Sequence, residues 1–192
     1  MIDLSEYKKH PFIVGRKDSI LIIIDIQEKL YPKILEGETL ILNLKKLIKT
    51  AKLLEIPIII TEQEKLGQTL ESLRQTLGEA HKPIRKISFS CMDNEEFRER
   101  LEKLKKRTCI LTGIEGHVCI EQTALDLSQN GYKVHVIEDA ISSRKESDLN
   151  SAFSKMKSSD IIVSTTEMVM YELMRTADDE RFKEFLEIVK GS

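Results

Sequence analysis

Three residues that lie far apart in the sequence carry side chains suited to act together in covalent catalysis: Asp25, Lys86 and Cys119. Cys119 stands near the predicted start of a helix, where unpaired backbone N–H groups favour the thiolate, and a nearby ammonium ion favours it further. We therefore expect the sulfur to be ionised. A carboxylate within reach takes the thiol proton and later returns it to a leaving group. Together the three groups are sufficient for acyl transfer through a thioester.

Each of these residues also has an ordinary structural interpretation. An Asp at the end of a strand often caps the following turn, and a Lys there is often a solvated charge. A free Cys is often a small core residue. The functional interpretation of Asp25, Lys86 and Cys119 therefore depends on whether the fold brings them together.

Short apolar segments rich in β-branched residues predict six strands. Their nearly continuous Ile, Val and Leu content is typical of a parallel sheet that is covered on both faces. The predicted strands are residues 19–25, 57–62, 84–87, 108–113, 132–138 and 160–164.

Helical spacing of apolar residues separates most of these strands. The predicted helices are residues 38–55, 94–106, 119–130, 147–157 and 165–176, with residues 178–190 as a last helix that packs on the body or on a second subunit. Alternating strands and helices predict right-handed crossovers and a three-layer α/β/α sandwich. We interpret residues 1–192 as one domain.

The residues whose side chains could take part in catalysis lie at the ends of predicted strands. Ligands of such sheets bind beyond the carboxyl ends of the strands, where the strand order reverses. Asp25 and Lys86 end predicted strands, and a short loop joins Gly113 to Cys119. We therefore expect carboxylate, ammonium and thiol to meet at one rim, with loop N–H groups available to an oxyanion.

Composition limits the classes of protein. The chain has 192 residues, 41% hydrophobic and 32% charged, which is typical of a globular domain. A net charge of −2 disfavours a nucleic-acid partner. Three cysteines indicate reduced thiols, and residues 1–12 show no signal peptide, so we expect a cytoplasmic protein. Neither a membrane span nor a nucleotide-binding glycine motif is present in the sequence.

Four segments resemble the isochorismatase-like cysteine hydrolase superfamily, and its isochorismatase domain-containing branch most of all. They are residues 21–30 (LIIIDIQEKL), 61–70 (TEQEKLGQTL), 85–92 (RKISFSCM) and 112–144 (TGIEGHVCIEQTALDLSQNGYKVHVIEDAISSR). The resemblance implies the strand order 3-2-1-4-5-6 and a homo-oligomer. It also implies that Asp25 is the general acid/base, that Lys86 supports the thiolate and orients Asp25, and that Cys119 is the nucleophile.

The same resemblance implies further features of the site. A non-proline cis peptide is expected at Ile114–Glu115, and the backbone N–H groups of Glu115 and Cys119 are expected to form the oxyanion hole. Gln27, Gln63, Phe89 and His117 are expected to line the substrate pocket, because polar and aromatic groups at strand ends orient ligands there.

The chain departs from two other branches of the superfamily. The nicotinamidase branch binds a divalent metal with an Asp and several His after the second strand, whereas residues 60–73 contain no His. We therefore expect neither metal nor cofactor. Isochorismatases proper cleave a vinyl ether and lack the Cys, so Cys119 favours a C–N or other acyl bond. The expected activity is hydrolysis of a small amide- or ester-like molecule.

A rival hypothesis gives the fold a non-enzymatic role. In it, Cys119 is a low-pKa thiol of an interaction or redox-sensing module and is oxidised to a sulfenic acid.

The other cysteines and the residues near Cys119 have structural interpretations. Cys109 lies within a predicted strand and is interpreted as a core residue, and Cys91 is interpreted as structural or pocket-lining. His117 is disfavoured as a base, since loop residues so close to Cys119 rarely point toward it. Arg144 is expected in a turn, paired with Asp148.

Overall fold

A six-stranded parallel sheet forms the centre of the fold. The computed structural model describes residues 9–191. Within them the strands are β1 (Ser19–Ile24), β2 (Ile58–Gln63), β3 (Ile84–Lys86), β4 (Thr108–Ile114), β5 (Lys133–Ser142) and β6 (Ile162–Ser164). They lie in the order β3-β2-β1-β4-β5-β6, and every neighbouring pair is parallel. The predicted sheet and its order are confirmed.

Helices cover both faces of this sheet. Among the described residues they are α1 (Gly37–Leu53), α2 (Glu71–Leu77), α3 (Glu95–Leu104), α4 (Glu121–Gln129), α5 (Glu146–Lys157), α6 (Thr166–Met174) and α7 (Phe182–Lys190). Side chains alternate along β1, so Leu21 and Ile23 join the core under α1, α2, α6 and α7. Ile20, Ile22 and Ile24 join the core under α3, α4 and α5. The three-layer arrangement follows from this two-sided burial.

Two elements differ from the sequence expectation. Helix α2 was not predicted, because it is only about two turns long and its apolar face consists of two buried leucines, Leu73 and Leu77. Strand β5 extends to Ser142 rather than ending at residue 138. Its register against β4 shifts after Leu111, which pairs with Val136, whereas Gly113 pairs with Ile141. The polar residues within this bulge are typical of a loop, so the sequence predicts too early an end for the strand.

The C-terminal helix packs on the body of the fold. Phe185 and Ile188 of α7 are buried in the same core as α1 and α6. The ring centroids of Phe185 and of Tyr171 on α6 lie 5.1 Å apart in an edge-to-face arrangement.

Within residues 9–191, no helix is both long and apolar enough to span a bilayer. Most of the segment from which we predict the absence of a signal peptide lies outside the described residues.

Candidate active site

Asp25 lies directly beyond the end of β1, between β2 and β4. Its neighbour Ile24 pairs with Thr61 of β2 and with Gly113 of β4. Asp25 is fully buried and adopts a left-handed backbone conformation with φ of 55°, which Asp tolerates better than most residues. The carboxylate is thereby held at the point where the strand order reverses.

The close approach of β4 to β1 at this point requires a glycine. Gly113 has φ of +124°, and a Cβ built on it would lie 2.1 Å from the carbonyl oxygen of Ile24. Any side chain at position 113 would therefore separate the two strands that carry the candidate base and the nucleophile loop.

Two buried donors hold the Asp25 carboxylate, one on each oxygen. The Thr61 hydroxyl donates to Oδ1 at 2.7 Å. The Lys86 ammonium donates to Oδ2, also at 2.7 Å, and both side chains of this ion pair are fully buried. The sequence analysis predicted the lysine and did not identify the threonine.

The Lys86 ammonium connects the carboxylate to the thiol. Besides Asp25, its Nζ donates to Gln63 Oε1 at 2.8 Å and lies 3.6 Å from Cys119 Sγ. It also reaches the carbonyl oxygens of Ser88 and Phe89 at 3.2 and 3.3 Å. Burial acts to lower the pKa of Lys86, but the neighbouring Asp25 carboxylate and cysteines outweigh it and raise the pKa above its usual value. Lys86 is therefore a permanent cation.

Cys119 lies on a single π-helical turn, Gly116–Ile120, between β4 and α4. The turn follows a cis peptide bond at Ile114–Glu115, and the Glu115 carbonyl accepts from the N–H groups of Val118 and Ile120. Such turns are frequent at functional sites. Only 6% of Cys119 is exposed, so the sulfur is almost completely shielded from solvent.

The expected thiolate is not supported by the surroundings of the sulfur. Burial raises the pKa of Cys119, and Asp25 raises it further by its charge and by a hydrogen bond, whereas Lys86 lowers it less. The resting thiol is therefore protonated. The helix start and the ammonium ion suggested an ionised sulfur, but the sequence does not show how deeply the group is buried or how close the carboxylate lies.

The loop before Cys119 is anchored by an ion pair. Arg144 donates to the buried Glu115 carboxylate from Nε at 2.9 and 3.0 Å and from its backbone N–H at 3.1 Å. The predicted Arg144–Asp148 pair is therefore wrong, since Asp148 acts on Arg144 only at longer range. His117 lies with Nδ1 3.0 Å from Ser143 Oγ and Nε2 3.9 Å from Asp148, and no hydrogen bond links it to Cys119 in the described part of the chain.

Gln27 does not have the geometry of a substrate ligand. Its carboxamide is buried and is bonded entirely to backbone. Nε2 donates to the carbonyl oxygens of Gln63 and Gly67 at 2.9 and 2.8 Å, and Oε1 accepts from the N–H of Gln63 at 2.9 Å. Gln27 therefore fastens the loop after β2 to the end of β1, which corrects the expected role.

The remaining predicted residues lie at the rim. Gln63 accepts from Lys86 and donates from Nε2 to the Ile87 carbonyl at 2.6 Å, so it orients the ammonium group. The Phe89 side chain is 54% exposed and that of Ile87 73%. Phe89 contributes its carbonyl to the site, and its ring is open to solvent.

Among residues 9–191, no group of three or more His, Cys, Asp or Glu side chains is placed so that it could bind a metal ion.

Known proteins share this architecture. Residues 19–168 match the family model described as the isochorismatase domain. Isochorismatase domain-containing protein 2 of Danio rerio is 36% identical, with 92% of this chain and 90% of the relative covered. A structure described as MAR1 ribonuclease from Caenorhabditis elegans aligns with a TM-score of 0.86 at 36% identity, over 92% of both chains. The YcaC gene product of Escherichia coli, described as an octameric hydrolase of unknown specificity, aligns with a TM-score of 0.85 at 24% identity, over 94% and 91% of the two chains.

Proposed function

The chain belongs to the isochorismatase family, and from this we propose that it is a metal-independent cysteine hydrolase of a small amide- or ester-like substrate. The observation that carries the proposal is the contact among three buried groups. Lys86 Nζ lies 2.7 Å from Asp25 Oδ2 and 3.6 Å from Cys119 Sγ, and Asp25 lies close enough to the Cys119 thiol to raise its pKa.

The reaction proceeds in two acyl transfers. The Cys119 proton passes to Asp25 as the sulfur attacks the carbonyl carbon, because the resting thiol is protonated. When the C–N or C–O bond breaks, Asp25 gives that proton to the departing amine or alcohol. Asp25 then takes a proton from water, whose oxygen attacks the thioester carbon. The C–S bond breaks, Asp25 returns the proton to the Cys119 sulfur, and the acid is released. Lys86 keeps Asp25 oriented and offsets negative charge on the sulfur.

The negative charge on the carbonyl oxygen needs donors that are already in place. We assign these to the backbone N–H groups of Glu115, which directly precedes the π-helical turn, and of Cys119 within the turn. The Arg144–Glu115 ion pair supports this assignment, because it fixes the residue before the turn through its side chain.

Labelling with an electrophilic carbamoyl probe tests the nucleophile. The adduct, mapped by mass spectrometry, is expected at Cys119 and is expected to disappear in Cys119→Ser. Cys109→Ser is the matched control, since Cys109 is buried within β4. An adduct at Cys91 or Cys109 with Cys119 unmodified contradicts the proposal.

Turnover of a panel of small amides and esters tests the reaction class. An RNA oligonucleotide belongs in the panel, because the C. elegans relative is described as a ribonuclease. Hydrolysis that requires Cys119 is expected only for acyl substrates. Cleavage of RNA that depends on Cys119, with no acyl substrate hydrolysed, replaces the proposed substrate class.

The rival role as a redox sensor predicts the opposite pattern. The panel then shows no turnover, and dilute peroxide oxidises Cys119 rapidly. The raised pKa of Cys119 favours the hydrolase, because peroxide reacts with thiolates and the resting sulfur is protonated.

We further propose a cytoplasmic homo-oligomer. The cysteines among residues 9–191 are free thiols, and the structurally similar E. coli protein is described as octameric. Exposed apolar side chains at the site rim, Ile87 and Phe89, would gain from contact with a second copy. Light scattering of the purified protein measures the assembly, and a monomer at micromolar concentration contradicts it.

A further inference from the structure

A chain of buried polar groups lies behind the Asp25 carboxylate. Thr61 donates its hydroxyl to Asp25 Oδ1 at 2.7 Å. The hydroxyls of Thr123 and Thr61 both act on the Cys91 thiol and lower its pKa, and the Cys91 backbone N–H donates to Thr123 Oγ1 at 2.9 Å. All four residues are completely buried. The proposed mechanism uses only Asp25 from this set.

The hydrogen-bonding capacity of each group gives the chain a direction. An ionised carboxylate only accepts, so the single hydrogen of the Thr61 hydroxyl is given to Asp25. The Thr61 oxygen is then free to accept from the Cys91 thiol. Thr123 already accepts from the Cys91 backbone, and its hydrogen is available to the Cys91 sulfur. Donation therefore runs from Thr123 to Cys91, to Thr61 and to Asp25.

The Cys91 thiol retains the proton that this direction requires. Burial is the main cause that raises the pKa of Cys91 to about 12, and Asp25 adds to it against the effect of Lys86. The thiol is thus a neutral donor throughout the ordinary pH range. Cys91 is neither a second nucleophile nor simple core filling, because its sulfur completes the chain between α4 and β2.

We propose that Thr61 is a positioning residue that fixes the plane and the basicity of the Asp25 carboxylate, with Cys91 and Thr123 holding the Thr61 hydroxyl in its donating direction. A carboxylate rotates freely about its last torsion unless both oxygens are held. Lys86 of β3 holds Oδ2, and Thr61 of the neighbouring strand β2 holds Oδ1. No water compensates for a lost donor in so buried a place. The proposal depends on the proposed function only in taking Asp25 as the base for Cys119.

Alkylation of Cys119 by iodoacetamide as a function of pH tests the inference without a known substrate. Thr61→Val keeps the shape and removes the donor. We expect its plateau rate to fall about tenfold and the acidic limb of its profile to move up by about one pH unit, because the charged carboxylate loses a hydrogen bond. Mass spectrometry identifies the alkylated residue.

Matched variants separate positioning from general damage to the core. Thr112→Val removes another buried hydroxyl, one that donates to the Ile22 carbonyl on β1 at 3.1 Å, and is expected to leave the profile unchanged. Thr61→Ser and Cys91→Ser keep a hydroxyl donor and are expected to stay within about twofold of the native rate. Cys91→Ala is expected to move the profile in the same direction as Thr61→Val, but less. Thermal unfolding shows which variants fold.

A double-mutant cycle with Asp25→Asn decides whether Thr61 acts through Asp25. The effect of Thr61→Val is expected to vanish in the Asp25→Asn background. The inference is wrong if that effect persists there, or if Thr61→Val behaves as Thr112→Val does. An Asp25-dependent effect without turnover of any amide or ester leaves the positioning role standing and removes the proposed function. Turnover through Cys119 with no effect of Thr61→Val removes the positioning role alone.

Discussion

At the scale of single residues, the centre of the site is an ion pair without solvent. Asp25 and Lys86 have no exposed side-chain surface. Each charge is costly to bury alone, and the pair is tolerated because every donor and acceptor around it is satisfied. Gln63 and the carbonyl oxygens of Ser88 and Phe89 complete the surroundings of the ammonium group. The pair therefore contributes to both stability and chemistry.

Lys86→Met is expected to reduce the free energy of unfolding by about 3–5 kcal/mol, because it leaves the Asp25 carboxylate buried without a cation. Urea unfolding measures the change. Adding Asp25→Asn to Lys86→Met is expected to recover much of the stability and none of the activity. Lys190→Met is the control, since its pair with Glu187 is exposed, and it is expected to change little. Equal stability of Lys86→Met and the native protein contradicts this account.

Cys119→Ala and Asp25→Asn are each expected to lower kcat/KM by about 10³-fold or more, and the double variant to lose no more than either alone. Residues that act as one unit show this non-additive loss. Cys109→Ala, which changes a core thiol of β4, is expected to retain activity. Losses of Cys119→Ala and Asp25→Asn that multiply in the double variant show that the two residues act independently.

The sequence reveals a site residue when its place along a strand restricts its surroundings. Asp25, Lys86 and Cys119 follow or end parallel strands, so the topology alone brings them to one rim. Thr61 has no such signal, because a buried hydroxyl on β2 looks like any core threonine until its partner is known. Gln27 shows the converse, since a polar residue after a strand looks the same whether its amide faces a ligand or the backbone.

At the scale of elements, the predictability of each segment follows its burial. Most of the strands are recognisable because apolar side chains predominate in them, as in β1 and β4. Strand β5 is predicted too short, because its bulge carries the polar residues Glu138 and Asp139. Helix α2 is missed because Leu73 and Leu77 alone mark its buried face. The π-helical turn that carries Cys119 has no recognised sequence pattern, so its geometry could not be predicted from the sequence.

Gly113→Ala is expected to abolish Cys119 labelling by the carbamoyl probe and to lower the unfolding temperature. The added Cβ would lie 2.1 Å from the Ile24 carbonyl oxygen, so β1 and β4 must separate where Asp25 leaves the sheet. Gly131→Ala is the control: Gly131 also has a positive φ, 80°, but a Cβ there meets nothing within 4 Å. It is expected to cost about 1 kcal/mol of stability and no reactivity. Similar behaviour of the two variants refutes the close-approach argument.

At the scale of the whole molecule, two apolar cores on opposite faces of one sheet hold the site rigid. The parallel topology requires both faces to be covered, and this makes the kind of sheet predictable from composition. The strand order was predicted from the family resemblance alone. The same burial encloses a few polar groups that do not belong to the site. His135 of β5 is completely buried, and neither ring nitrogen has a hydrogen-bond partner among the described residues.

His135 is expected to make the folded protein sensitive to mild acid. Burial, and then the charge of Lys133, lowers the pKa of His135 from 6.5 to about 4. Below about pH 6.5 the unfolded chain protonates His135, whereas the folded protein keeps it neutral. The free energy of unfolding therefore has its full value above about pH 6.5 and decreases as the pH falls toward 4. The full loss is on the order of 3 kcal/mol. Urea unfolding at pH 7 and pH 4.5 measures it, and His135→Leu is expected to flatten the pH dependence in this window. Carboxylates such as Asp179, whose pKa is lowered by Arg181, titrate alike in both proteins and cancel in the comparison. Parallel pH dependences of the native protein and His135→Leu would show that His135 is not the group responsible.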